Sequence, residues 1–269
     1  MKLKNLVKLL SDYKVENCDI YFLIKVFFNI DGYKIPLKLN KDLDDDKCNF
    51  ILDKIKAKVP VPYITERVVF RDLTILLNRD TLIPRQETEE MVYRIINALN
   101  DKQHEHLKIL DLCSGSGAIG LSLAHFFTKS KVKLIDISPS CIEISKKSAF
   151  YNKIKNVSFE VSDFLSKEND RYDLIVCNPP YIPTTSKTDT LYEPDLALFA
   201  GEDGMDAFRK IFADLDRVTK KGTLCFFEFD SSYASKLKPL FFSIVKEQYQ
   251  ADIAIDLSKK PRFLVIQRL

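Results

Sequence analysis

Apolar positions in the first sixty residues recur three or four apart, the spacing of one helical face. Leu3, Leu6, Val7 and Leu10 make one stripe, and a second runs from Ile20 through Ile24 to Phe28, before the turn signal Asp31-Gly32. Asp44, Asp45 and Asp46 suit the start of a third helix carrying Phe50, Ile51 and Ile55, which Pro60 and Pro62 end. These pieces predict a small helical domain, serving either as support or as a partner-binding surface. From Val68 to Leu77 the chain reads as an extended hairpin around Arg71-Asp72. Pro84 then precedes a helix carrying Met91, Val92, Ile95, Ile96 and Leu99, with Glu87, Glu89 and Glu90 at the positive end of its dipole.

Past Lys102 the pattern changes to short apolar runs alternating with helical segments. Strands are predicted at Leu107–Cys113, Val132–Ile137, Val157–Val161, Tyr172–Cys177 and Gly222–Phe229, and helices at Ala118–Phe127, Ser138–Tyr151 and Asp206–Thr219. Ser243–Tyr249 and Arg262–Gln267 read as two more strands around the polar Ser258-Lys259-Lys260-Pro261 turn. No helix-length segment separates them, so they pair antiparallel. The fold class is therefore α/β: a mostly parallel seven-stranded sheet covered by helices, with an antiparallel return at one edge.

Composition narrows the function classes. With 46% hydrophobic and 29% charged residues in 269, the chain can bury a substantial core, which excludes global disorder. Lys plus Arg number 41 against 38 Asp plus Glu, so bulk positive charge gives no grip on nucleic acid. Six scattered Cys lack the paired spacing of a zinc site, and three His do not supply one, so no metal is expected. No run of eighteen apolar residues is present, and the Lys-rich start meets Asp12 and Glu16 too soon for a signal peptide. The expectation is a soluble protein of a reducing compartment, with no membrane partner and free thiols.

Three of only seven glycines fall in Asp111-Leu112-Cys113-Ser114-Gly115-Ser116-Gly117-Ala118-Ile119-Gly120, at a strand-to-helix junction. Small residues there permit either a tight turn or close approach to a ligand, whose carboxylate or phosphate the helix-start amides can bind. No Lys follows in a GK[ST] arrangement, which argues against a triphosphate site, and Cys113 breaks the dinucleotide fingerprint. The next strand ends at Asp136, whose carboxylate suits two ribose hydroxyls, and Asp163 after the third strand suits an adenine amino group. Each alone is compatible with a solvated loop; together, at successive strand ends, they favour one adenosine pocket.

Tyr172–Cys177 runs directly into Asn178-Pro179-Pro180-Tyr181. Two prolines stiffen the backbone and fix their carbonyl directions, Asn178 offers both an amide acceptor and a donor, and Tyr181 offers a broad apolar face. The bland alternative is a rigid turn capped by Asn.

This motif and the glycine-rich segment resemble those of S-adenosylmethionine-dependent methyltransferases acting on planar nitrogens. The resemblance narrows through Pro62-Tyr63-Ile64, Leu82-Ile83-Pro84-Arg85-Gln86-Glu87-Thr88-Glu89, Asp136-Ile137-Ser138-Pro139, Asn178-Pro179-Pro180-Tyr181-Ile182, Glu193-Pro194 with Ala197-Leu198, and Gly201-Glu202-Asp203-Gly204 with Arg209. In that order they are similar to the peptide chain release factor glutamine N5-methyltransferase family over nearly the whole chain. The resemblance implies a Rossmann-like methyltransferase domain at 85–269, a linker hairpin at 67–84 and an N-terminal helical substrate-binding domain at 1–66. It implies methyl transfer from S-adenosylmethionine to the GGQ glutamine of class I release factors, modulating translation termination.

The same resemblance implies cofactor binding by Asp111, Cys113, Ser114, Gly115, Gly117, Asp136, Ile137, Asp163, Phe164 and Asn178. It implies catalysis by Asn178, Pro179 and Tyr181, and substrate binding by Asn178, Pro179, Pro180 and Tyr181. Arg85, Thr88 and Glu89 read equally as bracing residues or as parts of the pocket. Cys113, Glu66 and Asp230 replace glycines common in the family, and Gln86 a common proline. A cytoplasmic monomer with no stable nucleic-acid partner is expected. The alternatives are an adenine-N6 methyltransferase of nucleic acid, against which the lack of a target-recognition insertion counts, and an inactive release-factor-binding module.

Overall fold

The computed structural model describes residues 1–186 and 192–269, in two compact units, Met1–Val68 and Val69–Leu269. The smaller unit contains α1 (Leu3–Asp12), α2 (Asn17–Phe28), α3 (Asp45–Lys56) and α4 (Val61–Thr65). Leu3, Leu6 and Leu10 of the first stripe are fully buried, as are Ile20, Leu23, Ile24 and Ile51. Asp44 caps α3, its side chain accepting from the Lys47 N–H at 3.0 Å. One boundary matches the sequence reading and one differs. Helix α2 ends at Phe28 as read, capped by Asn29, which takes a left-handed φ of 53°, one of the few side chains suited to it. Pro62 does not end α3 but sits in the first turn of α4, where a missing N–H breaks no helical bond.

The larger unit begins within β1 (Arg67–Phe70), which forms the expected hairpin with β2 (Leu73–Leu76). There follow α5 (Gln86–Ala98), β3 (Lys108–Leu112), α6 (Ala118–Phe126), β4 (Lys131–Asp136), α7 (Pro139–Tyr151), β5 (Val157–Val161) and β6 (Tyr172–Cys177). Then come α8 (Asp195–Leu198), α9 (Asp206–Val218), β7 (Thr219–Glu228), α10 (Ala234–Ile244), β8 (Tyr249–Ile255) and β9 (Pro261–Arg268). Strand β2 is tied to α7 and the residue after it. The Thr74 N–H donates to Asn152 Oδ1 at 3.0 Å, the Leu76 N–H to Ser148 Oγ at 2.9 Å, and Asn152 Nδ2 returns a bond to the Thr74 carbonyl at 2.7 Å.

Among the described residues the main sheet has seven strands in the order β5-β4-β3-β6-β7-β9-β8. Pairing is parallel from β5 to β7 and antiparallel for β7–β9 and β8–β9, as the alternating pattern predicts. The central strands are apolar runs because both faces are covered: Leu174 to Cys177 are all fully buried. The chain order reverses between β3 and β6, and this topological switch opens a crevice beyond the carboxyl ends of both strands.

The tail corrects one expectation. Ser243 and Ile244 end a helix, α10, and the strand begins only at Tyr249. Leu237, Leu240, Phe241 and Ile244 recur at helical spacing, and that stripe prevails over local strand preference because it packs on α9. Phe241 meets Phe212 edge-on at 5.1 Å, and Phe212 meets Phe227 of the sheet at 5.5 Å.

Candidate active site

The crevice at the switch point is a cavity of about 340 Å³, within the range of small-molecule sites. Its walls come from the turn after β3, the ends of β4 and β5, Asn178 and Pro180 after β6, and the segments around residues 80–88 and 196–210. Thus the glycine-rich and Asn-Pro-Pro-Tyr motifs, far apart in the sequence, meet there because β3 and β6 are neighbours.

The glycine-rich turn is closely fitted. A Cβ on Gly120 would lie 2.8 Å from both Asp111 Oδ2 and Leu134 Cγ, so α6 approaches the sheet only because that atom is missing. Asp111 is fully buried, its Oδ2 accepting the Gly120 N–H at 2.7 Å while Oδ1 has no partner. Burial pushes its carboxyl up to about 8. Asp111 and Gly117 support the turn from beneath and are not on the cavity wall; Cys113, Ser114 and Gly115 are. In the turn before α6 the Ser114, Gly115 and Gly117 amides already donate to Ile135 O, Asp136 Oδ2 and Ser114 O, while Ser116, Ala118 and Ile119 at the helix start line the cavity. Beside them the Ser114 hydroxyl is buried and has no partner.

Asp136 is bonded to the same turn. Its Oδ2 accepts the Gly115 N–H at 2.8 Å and its Oδ1 the Ser138 N–H at 2.9 Å, with the Ile137 N–H also favouring the carboxylate, and the residue lines the cavity. Burial raises its pKa. Ile137, Asp163 and Phe164 also line the cavity, and Lys210 reaches Asp163 at 3.5 Å and lies 5.5 Å from the centre of the Phe164 ring. Acceptors at one strand end, an apolar slot and an unpartnered hydroxyl fit a nucleoside bearing a polar arm.

Across the cavity, Asn178 Nδ2 donates to Thr88 Oγ1 at 3.2 Å, and the Thr88 hydroxyl donates to Glu228 Oε2 at 2.7 Å. Glu228 is 2% exposed and burial pushes its carboxyl up to about 7. Pro179 is buried, and Tyr181 packs against the core, its hydroxyl raised by burial and by the Glu228 charge; neither is on the cavity wall. Beyond them, Ile182 exchanges backbone bonds with Leu198 and Ala200, which sets Ala197, Phe199 and Ala200 into the wall.

Of the residues left open by the sequence, Thr88 joins the cavity wall. Glu89 instead accepts the Arg71 N–H at 2.6 Å, and Arg85 pairs with Glu193 rather than with the glutamates of its own helix. The substituted glycines differ in kind. Cys113 and Glu66 hold left-handed φ values of 55° and 53°, where glycine is the relaxed choice. Asp230 has an ordinary φ of −74° and caps the following turn, accepting from Ser232 N and Oγ. Sequence reasoning missed Asp80, Leu82 and Lys210 as wall residues and the bond from Thr88 to Glu228. The Pro84 and Gly201-Gly204 punctuation was the available signal for the two loops.

Among the described residues no cluster of His, Cys, Asp or Glu can hold a metal ion, and no helix is long and apolar enough to cross a membrane. A family model described as a methyltransferase domain matches residues 103–255. A release factor glutamine methyltransferase from Clostridium acetobutylicum is 32% identical over 88% of this chain and 89% of its own length. Among solved structures, the ribosomal protein L11 methylase of Lactobacillus delbrueckii superposes with a TM-score of 0.51 at 19% identity, over 69% of this chain and 80% of that one. The Thermus thermophilus 16S rRNA N2 G1207 methyltransferase, in complex with AdoMet and guanosine, gives 0.50 at 18%, over 73% and 46%. At these identities the two structures establish a shared Rossmann-like fold.

Proposed function

We propose, from the premise that this chain belongs to the release factor glutamine methyltransferase family, that it methylates the side-chain N5 of the GGQ glutamine in class I release factors. The cofactor is S-adenosylmethionine, which when bound supplies an electrophilic methyl group on a sulfonium. Asp136 is assigned to the ribose, the turn at Ser114 and Gly115 to the amino-acid arm, and Ile137, Asp163 and Phe164 to the adenine.

An amide nitrogen is a poor nucleophile because its lone pair is delocalised into the carbonyl, so orientation supplies much of the acceleration. Asn178 Oδ1 and the Pro179 carbonyl are assigned to the two N–H groups of the acceptor amide. Both bonds strengthen as positive charge develops on the nitrogen, which favours the transition state over the bound substrate. The nitrogen then sheds its proton readily, so no strong base is needed beside it. Pro180 and Tyr181 are assigned to the acceptor side, where they exclude water. The helical unit, with Tyr21, Tyr33, Leu37 and Phe50 exposed, is assigned to holding the release factor.

One observation carries this reading: Asn178 lies in the same cavity wall as Asp136, with its amide nitrogen tied back to Thr88. The test incubates the protein with S-adenosylmethionine, a purified class I release factor and competing DNA or RNA, then maps the product by intact mass and peptide fragmentation. A gain of one methylene on the loop glutamine supports it. Methylated adenine with an unmodified release factor would replace it with the nucleic-acid reading.

A further inference from the structure

Three side chains from distant parts of the larger unit form one directed chain: Glu228 at the end of β7, Thr88 in the first turn of α5, and Asn178 after β6. Thr88 and Glu228 are 4% and 2% exposed, so water does not substitute for either partner. A hydroxyl has a single proton. Here it goes to the carboxylate at 2.7 Å, which leaves Thr88 Oγ1 able only to accept from Asn178, as the 3.2 Å contact to Nδ2 shows. The amide group facing Thr88 must then be the NH₂, and the carbonyl oxygen is the end left for a substrate.

We propose that Glu228 and Thr88 are positioning residues that fix the polarity of the Asn178 amide, so that it presents an acceptor to the substrate N–H. The inference rests on the methyl-transfer reading and adds to it the means by which Asn178 is kept from turning over. An Asn178 rotated by half a turn would set its own N–H donors against those of the acceptor amide, and the clamp would repel what it has to orient.

The carboxylate's protonation enters as support. The groups facing Glu228 are Thr88 and Glu87 on α5, Tyr181 after β6 and the Arg262 guanidinium on β9. Arg262 is itself bonded to Asp256 at 3.3 Å and to the Phe229 carbonyl at 3.3 Å. Thr88 and Tyr181 hydrogen bonds and the Arg262 charge favour the carboxylate, while burial and Glu87 oppose it. Once protonated, Glu228 can donate to Thr88, whose own proton is then free to seek Asn178 Oδ1 and reverse the chain. Methyl transfer is therefore expected to rise as pH increases through about 7, the value to which burial raises Glu228.

The test compares the parent with Thr88→Val, Thr88→Ser and Glu228→Gln, in single-turnover transfer to a class I release factor at saturating S-adenosylmethionine, from pH 5.5 to 9. Thr88→Val should slow transfer about 10- to 100-fold while cofactor affinity by calorimetry stays within about threefold. Thr88→Ser, which restores the hydroxyl, should stay within about threefold of the parent. Glu228→Gln should be slowed and should lose the acid limb near pH 7. Nitrogen-15 spectra of the Asn178 side-chain NH₂ read the relay without turnover: its protons should be protected from exchange in the parent and in Thr88→Ser, and not in Thr88→Val. Equal rates and pH profiles in the parent and Thr88→Val, an equal fall in Val and Ser, or unprotected NH₂ protons in the parent would each overturn the proposal. A parent that leaves the release factor unmethylated but shows the protected NH₂ would instead overturn the substrate reading and leave the relay standing.

Discussion

The carboxyl ends of β3 and β4 line the cavity from one side and that of β6 from the other, with the end of β7 linked to it through Thr88, and the two sides hold their polar side chains in different ways. At the first, Asp111 and Asp136 grip backbone N–H groups of Gly120, Gly115 and Ser138. At the second, Asn178 and Glu228 are joined through the hydroxyl of Thr88. A backbone N–H donates in one direction only and moves only if the loop moves. A hydroxyl and a primary amide can each turn over in place. The first end is built as a fixed binding surface, so damage to it should appear in cofactor affinity and stability. The second is built from parts whose orientation has to be imposed, so damage there should appear in rate.

The largest expected effect lies at the second end. Asn178→Ala should lower single-turnover methyl transfer by about 100- to 1,000-fold, comparable to losing one preorganised donor or acceptor in other enzymes, with cofactor affinity changed only severalfold. A mutant matching the parent rate at saturating substrates would remove Asn178 from the chemistry. Next, Asp136→Asn should weaken cofactor binding about 10- to 100-fold by calorimetry, because one backbone N–H must then face an NH₂, while the rate at saturating cofactor holds. If the saturated rate falls instead, the division between the two ends fails.

An effect read in stability and not in binding or rate separates fold from function at Asp111. Its pKa is raised to about 8 in the folded protein, so the folded state retains a proton that the unfolded chain has released. Parent stability should therefore fall as pH rises from the ordinary carboxylate range to about 8 and then level off. Asp111→Asn has no proton to lose, so its melting temperature should gain on the parent between pH 5 and pH 8 in a scanning calorimeter. A constant difference across that range would show that burial at Asp111 is not what shifts it. The smallest effect is expected at Cys113→Gly. Relief of the left-handed φ, about 1–2 kcal/mol, is largely offset by the extra freedom of glycine when unfolded, about 0.5–1 kcal/mol, so melting should rise by a few degrees at most.

What could be read from the sequence was what depends on neighbours in the chain. The apolar runs of β3 and β6 announce strands covered on both faces, Ser138-Pro139 announces the start of α7, and Asp44 announces the cap of α3. Positions fixed by distant partners were not legible in the same way. Ser243 and Ile244 read as strand until Phe212, thirty residues earlier, supplies the ring that makes α10 the better packing. Thr88 looks like an ordinary first-turn residue, because the bond that gives it meaning spans 140 positions to Glu228. Asp136 and Asn178 were identifiable because one ends a strand and the other stands just past one, where the chain itself delivers the side chain to the sheet edge.

The hairpin strand β2 illustrates a separate economy. A two-stranded ribbon leaves a row of unpaired amides along its flank, the template on which foreign chains add and aggregates grow. Here Asn152 and Ser148 accept the Thr74 and Leu76 amides, and Asn152 donates back to Thr74. The side chains of one helix and its cap thus occupy sites that an invading β-segment would need, and that flank of β2 is closed to strand addition without a third strand.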